Sequence, residues 1–272
     1  MIFEAHDSKV GYDVYGEGET TLALFHAYPL SRGQWRAQAE ALTKSLALRV
    51  VTLDLTGCGE SSANADIITM EHMANDARAL FDDLNTTRLV IGGLSLGGYV
   101  ALAAMRLYPE RIAGLILGDT RASADTPEGK AGREAAATFV LNNGAAALFN
   151  RDAPRLLSNR ALTKEPDLVA SVRALAEVNQ ASGLAAVARG MGQRPDSTQL
   201  LPTITCPTLI FVGEQDAITP IPDARILFER IPHAELAVIT DAGHLANLER
   251  PAAVTDRIAT FLRERLGVPT RA

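Results

Sequence analysis

The sequence has few cysteines for its length, with two among 272 residues, Cys58 and Cys206. Small secreted proteins that depend on a disulfide framework carry many more, so that class is excluded. One bridge between the two residues is an alternative, but we expect two separate reduced thiols. A chain of this length buries enough apolar surface to fold without disulfide or metal staples.

Long apolar runs and basic runs are also missing. A membrane-spanning helix needs about 18 consecutive apolar residues, and a nucleic-acid-binding surface needs clustered lysine and arginine, whereas the net charge here is −6. We therefore expect no membrane and no nucleic-acid partner. The first residues show no basic stretch followed by an apolar one, which predicts no signal peptide and a cytoplasmic location.

Cofactor motifs are missing as well. The chain has no phosphate-binding or dinucleotide-binding glycine motif, and no Cys/His cluster with the spacing of metal ligands. The sequence therefore predicts no cofactor and no metal.

Six short apolar runs recur along the chain and predict buried strands. Each is rich in Val, Ile and Leu and lacks the polar alternation of a half-exposed strand. Amphipathic helical patterns separate the runs, one with Thr69 as its predicted N-cap and the last beginning near Pro251. This alternation predicts an α/β fold with a mostly parallel, doubly wound sheet, and the first fifteen residues predict an antiparallel hairpin at its edge. The runs are 21–25, 49–53, 88–92, 112–117, 207–212 and 234–239.

The alternation stops between residues 121 and 201, where the chain is Ala-rich, helical in pattern and interrupted by prolines. We find no strand pattern there. A helical insertion between two strands is typical of a lid. We therefore predict a core domain formed by residues 1–120 and 202–272, with 121–201 as a helical lid insertion.

Ser95 stands at the centre of Gly-Leu-Ser-Leu-Gly, residues 93–97, between a predicted strand and a helical pattern. A strand, a sharp turn and a helix raise a serine hydroxyl above the edge of a parallel sheet. Glycines on both sides leave room for such a turn, and the helix N-terminus favours developing negative charge. We interpret Ser95 as a catalytic nucleophile; the alternative is a glycine-rich turn in which the serine only caps the helix.

A base must accept the proton of the serine, and histidines are the first candidates. His244 follows the last predicted strand, at the same sheet edge as Ser95. His233 precedes that strand and belongs at the opposite edge, whereas His6 and His72 are expected on the surface. We therefore predict His244 as the base.

The histidine needs a carboxylate that orients it and stabilises its charged form. Asp216 follows the strand that precedes the histidine's strand, so its loop adjoins the loop of His244. Asp119 follows another strand at the same edge and is the rival, and Glu214 is a third candidate. We predict Asp216 in this role.

The chain order serine, aspartate, histidine, with the strands around it, resembles the α/β-hydrolase fold family, particularly its lid-bearing, carboxylesterase-like members. The resemblance spans residues 21–266. His-Ala-Tyr-Pro at residues 26–29 resembles the H-G-x-P oxyanion loop of that family. Residues 54–61 resemble its D-x-x-G-x-G-x-S turn, which we interpret as structural.

The resemblance implies an oxyanion hole made by the backbone N–H groups of Tyr28 and Leu96. The sequence departs from the family pattern at two positions. Ala27 occupies the place of a glycine, and Thr56 stands where many relatives carry arginine. If position 27 requires a positive φ, alanine would be strained there and the loop would shift.

Several apolar residues are expected to border the substrate pocket, with ordinary core packing as the alternative for each. They are Tyr28, Leu30, Trp35, Leu96 and Leu245, with Phe139 and Phe149 of the lid as a roof.

These residues predict a cofactor-independent serine hydrolase that cleaves a small-molecule carboxylic ester through an acyl-enzyme intermediate. The same side chains would serve lactone hydrolysis, C–C bond hydrolysis or perhydrolysis, since specificity depends on the shape of lid and pocket. The alternative from another class is a ligand-binding or sensor protein with negligible turnover, which the substitution at Ala27 keeps open. The sequence makes no prediction of the oligomeric state.

Overall fold

A computed structural model describes residues 1–5 and 8–271 of the chain, so that His6 lies outside the described residues. Strands and helices alternate as the apolar runs predict. The strands in the described ranges are β1 (Ile2–Ala5), β2 (Ser8–Tyr15), β3 (Thr20–Phe25), β4 (Leu48–Leu53), β5 (Ser62–Ala63), β6 (Arg88–Leu94), β7 (Ile112–Gly118), β8 (Thr208–Gly213) and β9 (Ala234–Ile239). The helices are α1 (Arg36–Ser45), α2 (Met70–Asp83), α3 (Leu96–Leu107), α4 (Pro127–Leu156), α5 (Asn159–Lys164), α6 (Pro166–Glu177), α7 (Ala181–Gln193), α8 (Ile221–Arg230), α9 (Ala246–Glu249) and α10 (Pro251–Leu266).

The strands form one sheet in the order β1-β2-β4-β3-β6-β7-β8-β9, and β5 pairs with β2. Every neighbouring pair from β4 to β9 is parallel, whereas β2 is antiparallel to both β1 and β4. The mostly parallel sheet and the hairpin at its edge are thus confirmed. The two-residue β5 was not predicted, because it is too short to carry a pattern.

Two apolar layers cover the two faces of the sheet. Alternate residues of β3 belong to different layers, with Leu22 and Leu24 in one and Ala23 and Phe25 in the other. Helices α1 and α10 contribute to the first layer, and α2, α3 and α8 contribute to the second. Because both faces are buried, the strands read as unbroken apolar runs.

The predicted helix starts are confirmed. The Thr69 hydroxyl accepts a hydrogen bond from the backbone N–H of His72 at 3.2 Å and caps α2. Pro251 occupies the first position of α10, where its missing N–H costs no helical hydrogen bond.

Between β7 and β8 the described chain forms four helices and one 3₁₀ turn, without a strand. Helix α4 is broken at Gly144, whose φ of 84° and ψ of 170° separate it into two segments. Asn179, between α6 and α7, accepts a hydrogen bond from Gly59 N–H at 2.6 Å and donates one to the Pro29 carbonyl at 2.8 Å. The insertion is thereby joined to two core loops at the carboxyl edge of the sheet. Across the described ranges, no helix combines the length and the apolarity that crossing a bilayer requires.

Candidate active site

Ser95 lies at the junction of β6 and α3, in a backbone conformation that few residues other than glycine adopt. Its φ is 55° and its ψ is −112°, which is strained for an L-residue. The turn is held by neighbouring strands, because Ser95 N–H donates to the Gly118 carbonyl at 3.0 Å and Thr120 Oγ1 donates to the Ser95 carbonyl at 2.9 Å. The serine side chain is therefore raised above the sheet edge by a fixed backbone.

The two glycines that flank the serine are required by close backbone contacts. A Cβ atom at Gly93 would collide with the carbonyl of Gly97, and one at Gly97 would collide with the carbonyl of Phe25. The backbone atoms at these positions have no room to retreat, so only glycine allows this turn.

His244 and Asp216 form a buried pair at the adjoining loops. His244 Nδ1 lies 2.9 Å from Asp216 Oδ2 and 3.0 Å from Oδ1, and a carboxylate accepts only, so Nδ1 carries the proton. Asp216 also accepts hydrogen bonds from the backbone N–H groups of Ile218 and Thr219, at 2.8 and 3.0 Å, and from the Thr219 hydroxyl. Burial alone would raise the pKa of Asp216, but the interaction with His244 and these hydrogen bonds lower the pKa to about 2.

Ser95 and His244 face one cavity of about 360 Å³. With Nδ1 bound to the carboxylate, Nε2 of His244 is the nitrogen left to accept a proton. No hydrogen bond joins Ser95 Oγ to His244 in the described part of the chain, a situation common in enzymes without bound substrate.

The two rival carboxylates do not contact His244. Asp119 is 1% exposed, and its Oδ1 accepts a hydrogen bond from Gly213 N–H at 2.7 Å, while its Oδ2 is buried without a partner. Burial and the repulsion from Asp216 raise the pKa of Asp119 well above its ordinary value. The exposed Glu214 accepts a hydrogen bond from Asp241 N–H at 3.2 Å. Burial and the neighbouring Asp216 therefore disfavour ionisation of Asp119.

The loop at residues 26–29 is held by hydrogen bonds to two other loops. The His26 ring donates from Nδ1 to the Ala27 carbonyl at 2.9 Å and accepts from Leu55 N–H at 3.0 Å, and Ala27 N–H donates to Gln34 Oε1 at 2.7 Å. Ala27 is not among the described non-glycine residues with a positive φ. The strain expected at this position is therefore absent, and alanine fits the loop.

No described residue accepts a hydrogen bond from the backbone N–H of Tyr28 or from that of Leu96. Leu96 is the first residue of α3, so its N–H is one of the groups that a helix leaves unpaired at its start.

The turn at residues 54–61 packs as a structural element. Buried Asp54 accepts hydrogen bonds from the N–H groups of Arg32 and Glu60, at 2.7 and 2.9 Å. Thr56, where many relatives carry arginine, donates to Asp76 at 2.6 Å.

The cavity has a different lining from the one the sequence predicts. Leu30, Trp35, Phe149 and Leu245 are at most 1% exposed and belong to the apolar layer with α1 and α10. They fill the space between sheet and helices and do not line the cavity, and neither does the buried side chain of Leu96. Phe139 borders a separate open depression on the surface of the insertion. Of the predicted border residues, only Tyr28 lines the cavity.

The actual wall is mostly polar and comes largely from the insertion. Sequence reasoning missed it because no motif marks it. The sequence signal for this wall is the pair Arg151 and Arg155, which lie one helical turn apart on the same helix face. The direction of that face depends on the break at Gly144, which the sequence pattern does not reveal. The lining residues are Tyr28, Pro29, Ser95, Tyr99, Arg121, Asp125, Glu128, Gly129, Gly132, Arg133, Ala136, Arg151, Asp152, Arg155, Leu156, Met191, Ile218 and His244.

The two cysteines are free thiols, Cys58 buried and Cys206 half-buried, as the sequence predicts. In residues 1–5 and 8–271, no group of three or more His, Cys, Asp or Glu side chains could hold a metal ion.

Among proteins of known sequence, the chain is 28% identical to 3-oxoadipate enol-lactonase 1 of Acinetobacter baylyi, over 97% of this chain and 96% of that protein. It is 31% identical to the dihydrolipoyllysine-residue acetyltransferase component of the acetoin cleaving system of Pseudomonas putida, over 93% of this chain. The match spans only 66% of the length of that second relative.

Among solved structures, a thermophilic esterase from Thermogutta terrifontis, with malate bound, superposes with a TM-score of 0.90 and 41% identity over 94% of each chain. The enol-lactonase from Burkholderia xenovorans LB400 superposes with a TM-score of 0.90 and 26% identity, over 97% of this chain and 100% of the other. The family model of the alpha/beta hydrolase fold matches residues 20–251. The chain therefore belongs to the alpha/beta hydrolase fold family, and its esterase and enol-lactonase relatives support a hydrolase activity.

Proposed function

We propose that the protein is a serine hydrolase that cleaves small carboxylic esters, with Ser95 as nucleophile, His244 as general base and Asp216 as the carboxylate that orients the base. The observation that carries this proposal is the buried His244–Asp216 pair, at 2.9 Å, in the same cavity as the strained serine. A serine hydroxyl becomes an effective nucleophile only beside such a base.

In the proposed reaction, His244 Nε2 takes the proton of Ser95 as Oγ attacks the ester carbonyl. The backbone N–H groups of Leu96 and Tyr28 hold the oxyanion, and such donors are each worth about 10²–10³ in rate. His244 then gives its proton to the leaving alcohol, and a water molecule deprotonated by the same nitrogen releases the acid from Ser95. Asp216 stabilises the imidazolium in both halves of the reaction.

The size of the cavity supports a small substrate, since about 360 Å³ lies near the lower end for ligand pockets. We assign the role of lid to residues 121–201, above a core of 1–120 and 202–272. The alternative of a binding protein without turnover was based on strain at Ala27. Because Ala27 has no positive φ, this argument for the alternative no longer applies.

Lactone hydrolysis is the second candidate, and the enol-lactonase relatives favour it. A lactone is a cyclic ester, so the same attack opens the ring while the leaving oxygen stays attached to the acyl group.

The test is turnover of 4-nitrophenyl acetate, a δ-lactone and a neutral methyl ester by the wild type and Ser95→Ala. We expect the substitution to lower kcat by about 10⁴–10⁶ for every substrate that is turned over. Ser171→Ala, an exposed serine of α6, is the matched control and should leave the rates unchanged.

A fluorophosphonate probe gives an independent readout, with labelling of Ser95 read by mass spectrometry. Equal rates for Ser95→Ala and the wild type, or a folded wild-type protein that the probe does not label, would overturn the proposal.

A further inference from the structure

Arginine side chains form much of the cavity wall. Arg121, Arg133, Arg151 and Arg155 face the cavity, and arginine remains charged at any physiological pH. Three carboxylates also line the cavity. A fifth guanidinium group, that of Arg194, lies outside the lining and forms an ion pair with one of these carboxylates. The lining carboxylates are Asp125, Glu128 and Asp152.

The surplus of positive charge is concentrated around Asp125. This carboxylate, 1% exposed at the side chain, is shared by Arg133 Nε at 2.9 Å, Arg194 at 2.9 Å and Arg121 at 3.1 Å. One negative charge cannot neutralise three guanidinium groups. Asp223 of α8 interacts electrostatically with Arg121 and compensates in part. Of the three guanidinium groups, those of Arg121 and Arg133 line the cavity.

Donors in this wall are left without acceptors. Arg133 uses only Nε for Asp125, so both of its terminal nitrogens remain unbound. Arg155 makes no hydrogen bond or ion pair with any described residue, and the Tyr28 hydroxyl is buried without a partner. Arg151, by contrast, is engaged by Asp152 at 2.8 and 2.9 Å. Arg133 and Arg155 reach solvent, whereas the Tyr28 hydroxyl is buried, and a buried donor costs free energy until it finds an acceptor.

We propose that the acyl part of the substrate carries a carboxylate, which the terminal nitrogens of Arg133 bind, with Arg155 and the Tyr28 hydroxyl completing the anion subsite. The planar guanidinium presents two parallel N–H donors that match the two oxygens of a carboxylate. Asp125 holds Arg133 through Nε and leaves this pair of donors directed away from itself. The inference rests on the proposed function, because the carboxylate is assigned to the ester that Ser95 attacks.

Tyr28 connects the subsite with the reacting carbonyl. Its backbone N–H is a proposed oxyanion donor and its hydroxyl lies in the subsite, so the two groups are separated by one tyrosine side chain. A short acyl chain with a terminal carboxylate spans this separation, and the cavity of about 360 Å³ has room for it. The preferred substrates are therefore half-esters, or carboxylated lactones, of short dicarboxylic acids.

Two methyl esters of equal length test the proposal. Methyl hydrogen succinate ends in a carboxylate, and methyl levulinate carries a methyl ketone at the same place. We expect the wild type to have the higher kcat/KM for the half-ester, measured by pH-stat. Arg133→Gln should lower the ratio of kcat/KM for the half-ester to kcat/KM for the neutral ester about tenfold or more. Loss of a charge-assisted hydrogen bond corresponds to a factor of this size. Arg155→Gln and Tyr28→Phe should lower it less.

The matched control is Arg173→Gln, which removes the same charge from an exposed pair with Glu177 on α6. It should leave the ratio unchanged. Arg133→Lys keeps the charge without the planar pair of donors and should restore the ratio in part. Thermal unfolding of each variant is measured as well, so that a change in the ratio caused by an unfolded lid is recognised.

A ratio unaffected by all three subsite substitutions, or a wild type that prefers the neutral ester, overturns the anion subsite. If methyl levulinate is still cleaved in a Ser95-dependent manner, the proposed function stands and only this inference fails. If neither ester is cleaved, titration of the wild type and Arg133→Gln with succinate by calorimetry decides it. Binding that Arg133→Gln weakens supports the subsite, and the absence of binding overturns it.

Discussion

The carboxyl edge of the sheet and the helical insertion build the same cavity by different means. At the sheet edge, backbone contacts hold Ser95 in its turn, and the side chains of Asp216 and His244 are almost completely buried. In the insertion, the cavity wall consists of long side chains such as Arg133 and Arg151, which are 24% and 37% exposed. The proposed reacting groups are thus enclosed by the protein, whereas the groups proposed to recognise substrate are partly exposed to solvent.

This difference indicates where changes are tolerated. A displacement of about 1 Å between a nucleophile and its base lowers the reaction rate. Their positions are accordingly set by buried hydrogen bonds and by glycines that no other residue can replace. Arginines at a wall exchange partners at lower cost, because solvent reaches them. Substitutions at the sheet edge should therefore abolish activity or folding, whereas those in the insertion should alter substrate preference.

The largest contrast is expected between the two carboxylates of the sheet edge. Asp216→Asn removes the acceptor that fixes the protonated Nδ1 of His244, and kcat should fall by about 10⁴. Asp119→Asn replaces a carboxyl group whose ionisation is disfavoured by burial and by Asp216, and kcat should stay within about tenfold of the wild type. Ester hydrolysis and the urea unfolding midpoint are measured for both variants. Equal losses would assign the orienting role to Asp119 as well.

A glycine of the sheet edge should be far less replaceable than a glycine of the insertion. Gly93→Ala brings a Cβ into the Gly97 carbonyl, and we expect it to destabilise the protein by about 3 kcal/mol, since the backbone must shift. Probe labelling of Ser95 should be lost as the turn opens. A variant with wild-type stability and labelling would show that the turn adapts and that the edge is less rigid than its contacts indicate.

The pH dependence of stability separates the same two carboxylates. The pKa of Asp216 is lowered from 3.8 to about 2, so the folded state releases this proton more readily than the unfolded state. The pair contributes about 2 kcal/mol above pH 4, which is lost as the pH falls from about 4 to 2. The pKa of Asp119 is raised in the folded state, so its effect on the pH dependence of stability has the opposite sign. Asp119 ionises more readily in the unfolded state, and the free energy of unfolding therefore falls as the pH rises above about 4.

Urea unfolding between pH 2 and pH 8 measures both effects. Asp216→Asn should flatten the loss on the acid side, and Asp119→Asn should flatten the decline on the alkaline side. Unchanged slopes in the two variants would contradict this assignment of charge.

The smallest effects are expected from two glycines of the insertion, both on α4. Gly132 has open space around its Cβ position and a helical backbone, so Gly132→Ala should stabilise the protein by about 0.5–1 kcal/mol. Gly144 has equal space but a φ of 84°, and Gly144→Ala should cost about 1–2 kcal/mol. Thermal unfolding measures both. Gly144→Ala should also change the preference between charged and neutral esters, because the break sets the direction of Arg151 and Arg155. Stabilisation by both substitutions would show that the break is not needed.

The sequence predicted the sheet edge well, because its signals are local. Apolar runs buried on both faces, the Thr69 cap and Pro251 at the start of α10 depend on neighbouring residues alone, and the structure confirms them. The predicted Ser95 and His244 line one cavity, and Asp216 is hydrogen-bonded to His244. Their catalytic roles stay predictions until the variants are measured.

Most of the residues predicted for the pocket do not line the cavity that Ser95 and His244 face, for a physical reason. Trp35 and Phe149 were assigned to it because large apolar side chains are typical of ligand pockets, but the same property makes them fill the layer between sheet and helices. The polar wall was not predicted, since Arg194 at the end of α7 reaches Asp125, before α4, only when the helices of the insertion pack against each other.

By itself, the sequence determined the order of strands and helices and the chemical groups at the ends of the strands, because periodicity and turn chemistry act over a few residues. Only the tertiary structure decided which carboxylate binds His244, that Ala27 is unstrained, and that arginines line the cavity. These features depend on distances between residues far apart in the chain, and packing of the whole molecule sets those distances.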